Sequence, residues 1–146
     1  MSREEAIVRQ GGCVCGVVRY MTFGAPDRIT VCHCLWCQRR TGTAFGVEVV
    51  FLEENVEFSG VTARTHRHHS DESGRWLDMR FCGDCGTNLG FALEVRSGIV
   101  TVPAGTFDDP SWIDESDTDV RHVYTRSQRH WGDPSRAVET YNGYFK

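Results

Sequence analysis

The chain has 146 residues, 40% of them apolar and 25% charged, which suits one soluble domain and excludes a chain too polar to build a core. A net charge of −4 argues against a general nucleic-acid binder, and there is no apolar run long enough to span a bilayer. The N-terminal MSREEAIVRQGG carries charges of both signs and no apolar segment, so it reads as neither a signal nor a transit peptide, and a cytoplasmic location is the expectation.

In chain order, residues 1–8 are expected to fray. Cys13-Val14-Cys15 then opens a strand, GVVRYMTF (16–23), in which positions two apart share a face, so both thiols reach one side. TVCHCLWCQRRTG follows, with Cys32, Cys34 and Cys37 and one or two helical turns around Leu35–Arg40. His33 sits between two of these thiols and, in an extended segment, points away from them. AFGVEVVF (44–51), NVEFSG (55–60), VTARTHRH (61–68) and RWLDMRFC (75–82) read as strands, rich in β-branched and aromatic residues and bounded by turn formers. Their arginines, with Arg39 and Arg40, read as a solvated face, and His66, His68 and His69 as an exposed strand end.

CGDCG (82–86) is placed at a hairpin tip before TNLGFAL (87–93) and GIVTVPAG (98–105). DDPSWIDESDTD (108–119) is acidic and turn-rich and reads as a solvated loop, with a lid or recognition loop as the alternative. VRHVYTRS (120–127) closes the pattern, and His122 and His130 have no local partner. No window carries a long helical stripe and no composition shift marks a boundary. The expectation is a single mainly β domain over 1–146 with roughly ten short strands.

All seven cysteines fall in clusters. A reducing compartment disfavours disulfides, so the spacing reads as metal ligation. A C-x-x-C followed by glycine between two strands is the form of a zinc knuckle, whereas a redox C-x-x-C precedes a helix. Cys13 and Cys15 can complete a four-thiolate site with Cys82 and Cys85. That leaves Cys32, Cys34 and Cys37, three ligands and an open position, the usual pattern of a catalytic zinc. The spacing also permits an ordinary ribbon of Cys34, Cys37, Cys82 and Cys85, with 13, 15 and 32 left over. Three thiolates neutralise the zinc charge and blunt its acidity, so an open site of this kind suits a bound thiol better than a hydrolytic water. A thiol held as thiolate is ready to attack an aldehyde carbon.

The segments GGCVCGVVRY, CHCLWCQRRTGTAF, RFCGDCGTNLGF, VPAGTFDDP and HVYTRSQRHW occur in this order. Together, over residues 10–132, they resemble the glutathione-dependent formaldehyde-activating enzyme family, which shares its domain with centromere protein V. The resemblance implies a β-tent of short antiparallel strands. It implies two zinc ions per chain: a structural one on Cys13, Cys15, Cys82 and Cys85, and a second, more labile one on Cys32, Cys34 and Cys37, open toward substrate. It also implies condensation of glutathione with formaldehyde to S-hydroxymethylglutathione, a carbon–sulfur lyase activity. Arg39 and Arg40 are the candidates for a glutathione carboxylate, since arginine forks match carboxylates. The partner expected is a small thiol such as glutathione, with no nucleic acid and no membrane, and a homodimer is the oligomer considered. The competing readings are a thiol carrier without turnover and a structural zinc module for macromolecular contacts.

Overall fold

Short strands linked by tight turns and 3-10 turns carry the fold in this computed structural model, which describes residues 5–144. Of the segment expected to fray, residues 1–4 lie outside that range. Ten strands form three small sheets among the described residues. The first joins β1 (Val8–Gly12), β2 (Arg19–Phe23) and β5 (Val56–Ser59), all antiparallel. The second has β3 (Arg28–Cys32), β4 (Gly46–Leu52), β9 (Ile99–Pro103) and β10 (Val120–Val123) in the order β10-β3-β4-β9. The third is the meander β6 (Ala63–His69), β7 (Trp76–Cys82), β8 (Asn88–Leu93).

The mainly β expectation is met, and nearly every ladder is antiparallel. The exception is β10, which runs parallel to β3, pairing Val120 with Ile29 and Val123 with Cys32. Residues 104–119 carry the chain from β9 at one edge of this sheet to β10 at the other, a connection of the length that parallel strands need. That segment is less solvated than its acidity suggests. Pro110–Ile113 form a 3-10 turn capped by the Asp109 carboxylate. Trp112 and Ile113 pack on the core, with the Trp112 ring edge-on to Phe107 at 5.1 Å and Arg9 over its face at 4.0 Å.

Two strands escaped the sequence reading. VRQGG lacks the β-branched alternation that marks a strand, and RITVC runs into the cysteine motif, which masks it. The strand expected from Gly16 begins at Arg19 instead, so Cys13 and Cys15 lie in the β1–β2 turn rather than in a strand.

Strand alternation builds two apolar clusters. Tyr20, Ile29, Val49, Phe51, Val102 and Phe107 fill the larger one, between the first two sheets. On β4, residues 48–51 are all buried, as expected of a strand covered on both faces. The smaller cluster is Cys13, Val18, Cys82 and Leu89, so two of its four members are thiols. The third sheet docks on the second where Gly90 of β8 meets β9. Gly90 has φ 92°, and a β-carbon there would lie 2.0 Å from the Thr101 carbonyl oxygen. Only glycine allows that approach.

Candidate metal centres

Two hairpins bring the first cysteine group together. In the β1–β2 turn the Gly16 amide donates to the Cys13 carbonyl and the Cys13 amide to the Val18 carbonyl, which curls Cys15 back over Cys13. Their sulfurs are 3.5 Å apart. In the β7–β8 turn Gly86, at φ 77°, donates its amide to the Cys82 carbonyl and brings Cys85 round beside Cys82. The sulfurs of Cys15 and Cys82 are 3.9 Å apart, and all four lie within 4.8 Å of one another. A tetrahedral zinc with bonds near 2.3 Å separates its sulfurs by roughly 3.8 Å, so the four thiols fit such an ion.

Backbone and hydroxyl donors surround this group. The Val18 amide points at the Cys13 sulfur at 3.3 Å, and the Thr87 hydroxyl lies 3.1 Å from the Cys85 sulfur. That hydroxyl also accepts the Val14 amide at 3.1 Å, tying one hairpin to the other. Thr87 was not singled out in the sequence, although it directly follows the C-x-x-C-G run. Hydrogen bonds from Thr87 draw the Cys85 thiol down to about 6.

The second group forms where β3 runs into α1 (Leu35–Thr41). Cys32 ends the strand, Cys34 caps the helix and Cys37 completes its first turn. The Cys34 sulfur accepts the Cys37 amide at 3.2 Å, so one side chain is both cap and cluster member. The helix stops at Gly42, which takes φ 71° and returns its amide to the Gln38 carbonyl. The three sulfurs lie within 4.8 Å of one another, and among the described residues no fourth His, Cys, Asp or Glu joins them. Hydrogen bonding with Cys37, the Cys34 amide and the nearby Arg40 charge outweigh burial and draw the Cys32 thiol down to about 6. Cys37, sharing that hydrogen bond from the other side and buried, is pushed up.

The sulfurs thus group as four and three, and the ribbon that would place Cys34 and Cys37 with Cys82 and Cys85 does not form. The donor chemistry of both groups suits a thiophilic ion.

The two arginines of α1 have different surroundings. Arg39 is exposed and lies two positions beyond Cys37, a spacing that puts two side chains on different sides of a helix. The Arg40 side chain is 1% exposed, and its Nη2 donates to Glu48 Oε1 at 2.6 Å. The same nitrogen lies 3.9 Å from the Cys37 sulfur. Glu48 Oε2 accepts the Thr101 hydroxyl at 2.9 Å, and Thr101 Oγ1 in turn accepts the Phe91 amide at 3.0 Å. Burial pushes the Glu48 carboxyl up, against the pull of Arg40 and Thr101. The Arg40 guanidinium lies near the Trp36 and Phe91 rings, 5.2 and 4.9 Å from their centroids. Of the other arginines, Arg64, Arg67 and Arg75 are exposed as expected, but Arg80 is half-buried with its guanidinium 4.0 Å over Phe58.

The histidines also changed standing. His33 is buried, and its Nε2 lies 2.9 Å from Nδ1 of His122 on β10. The rings stack at 5.1 Å, and Phe45 meets His33 edge-on. The partner that His122 lacks locally is therefore supplied by the parallel pairing of β10 with β3. On exposed β6, His68 stacks on Trp36 at 5.5 Å, which lays the third sheet against α1. The Gln38 amide donates to the carbonyls of His33 and Ser127 and so closes the loop after β10 onto the helix.

No helix among the described residues is long and apolar enough to cross a membrane. A crystal structure of a Rhodobacter sphaeroides protein superimposes with a TM-score of 0.57 at 14% identity, covering 77% of this chain and 99% of that one, which establishes likeness of fold. No curated protein matches the chain. The family model described as glutathione-dependent formaldehyde-activating enzyme matches residues 8–127, a span that contains both cysteine groups and the strands that position them. The chain belongs to the glutathione-dependent formaldehyde-activating enzyme family.

Proposed function

We propose that both cysteine groups hold zinc and that the chain is a carbon–sulfur lyase acting on thiol adducts of formaldehyde or another small aldehyde. The observation that carries this reading is the three-sulfur group of Cys32, Cys34 and Cys37, which has no fourth protein donor among the described residues. The four-sulfur group plays the structural part, closing the turns at the ends of two hairpins.

A zinc ion on three thiolates supplies a coordination position for an external thiol and favours its deprotonated form. The protein's own residues do the rest. Cys34 fixes the helix start and Cys37 the first turn, so the three sulfurs converge before any ligand arrives. In the condensation the thiol sulfur bonds to the aldehyde carbon, and the thiol proton ends on the former carbonyl oxygen. The reverse reaction breaks the same carbon–sulfur bond. Arg39 is exposed and is the arginine of α1 able to meet a glutathione carboxylate, whereas Arg40 is committed to Glu48.

Metal analysis and an adduct-formation assay test the reading together. Two zincs per chain are expected, with one removed by mild chelation, and adduct formation should exceed the spontaneous condensation and fall when the labile metal is lost. Glutathione binding without acceleration would replace the enzyme with a thiol carrier. One zinc per chain under metal-replete conditions would remove the open site and the reading with it.

A further inference from the structure

The Arg40–Glu48 pair is almost fully enclosed, with side-chain exposures of 1% and 4%. Burying two charges is costly, and an apolar pair of similar volume is often at least as stable. The location of this pair suggests a different use. The arginine ends beside the Cys37 sulfur, and the backbone is shaped for it. Gly46 of β4 faces Cys37 and Arg40, and a β-carbon there would come within 2.7 Å of Arg40 Nη2. The neighbouring hydrogen bonds converge on the Glu48 carboxylate, which accepts from both sides. The Phe91 amide donates to Thr101, Thr101 donates to Glu48, and Arg40 donates to Glu48 and toward Cys37. Four elements, β8, β9, β4 and α1, thus hold one guanidinium against one sulfur.

We propose that Arg40 is a positioning residue of the three-cysteine site, held by Glu48 and Thr101 so that its guanidinium donates to the Cys37 sulfur and offsets the negative charge of three converging thiolates. A zinc ion with three thiolates carries a net charge of −1, and with a fourth thiolate −2. A fixed cation beside the cluster favours both charges, while the four-cysteine site has no arginine hydrogen-bonded to its sulfurs among the described residues. The inference rests on the proposed function, since it concerns the same open site.

The test is metal affinity at each site, read by chelator competition on folded, zinc-loaded protein. Arg40→Met alone would strand a buried carboxylate, so the main variant is Arg40→Met with Glu48→Leu, which replaces the ion pair with apolar side chains. The labile zinc should bind roughly 10- to 100-fold more weakly, the usual cost of losing a partner that orients a ligand. The four-cysteine zinc should be unchanged, which also reports an intact fold. Arg40→Lys, keeping the charge without the fork, should recover part of the loss.

Unchanged affinity in the double variant would overturn the inference and leave the proposed function standing. Parallel loss of both metals, tracking loss of fold in the double variant and in Arg40→Lys, would reduce Arg40 to a structural role and overturn it too. Absence of a second zinc in the unmutated protein would overturn the proposed function, and this inference with it.

Discussion

The sulfur of Cys15 lies 3.9 Å from that of Cys82, across 67 positions of chain. This contact joins the β1–β2 turn to the β7–β8 turn, and beneath it lie Val18, Leu89 and the half-buried Phe58 and Ala63. So small an apolar cluster leaves the junction dependent on what holds the sulfurs together.

Replacing Cys82 with serine should therefore unfold this end of the molecule. Cys82 is fully buried, and serine cannot supply a thiolate. Loss of a structural metal belongs among the largest single-residue effects, on the order of 4 kcal/mol or more, which lowers Tm by about 10 °C. Thermal unfolding followed by circular dichroism checks this, and a Tm within about 2 °C of the parent would mean no structural metal sits there.

Cys34→Ser should behave oppositely. Serine is a good N-cap, so its hydroxyl can take over the amide of Cys37 and α1 survives. The folded protein should keep one zinc per chain instead of two and lose adduct formation. Elemental analysis of purified variant decides it, and two retained zincs would dismiss Cys34 as a ligand.

His122→Ala removes the hydrogen-bond partner of His33 Nε2 and the ring stacked upon it. A buried polar atom losing its partner costs about 1–3 kcal/mol. The effect should appear as faster amide exchange along β10 and the end of β3, with both zincs retained. Unaltered exchange would show that the pair does not secure β10.

Gly90→Ala tests the seam between the second and third sheets. The left-handed φ and the 2.0 Å approach to Thr101 each oppose a side chain, and because the β-carbon is fixed by the backbone and meets a backbone carbonyl oxygen, no rotamer change can relieve it. A destabilisation of about 2 kcal/mol or more is expected in denaturant titration. A neutral result would mean the sheets separate there without cost.

Much of this was legible in the sequence because it is local. The short glycine-punctuated strands, the knuckle at Cys82–Cys85 and the helical turn behind Cys34 all depend on residues within a few positions of one another. The sequence misleads where a segment's signal is weak or overlaid. VRQGG has no alternation, RITVC overlaps the cysteine motif, and the acidity of 108–119 hides the anchor formed by Trp112.

The sequence by itself determined the ligand types and their local spacing, seven thiols in three runs, and through its motifs the family. Only the tertiary structure decided how the runs combine, since the spacing favours four and three but also allows a ribbon. It alone placed Arg40 in a buried pair instead of in solvent, and gave His33 a partner 89 positions away. The physical reason is the same in each case. Turn and helix geometry constrain neighbours in the chain, whereas a sulfur cluster, a buried charge pair and a stacked ring are contacts between elements, set by how the sheets pack.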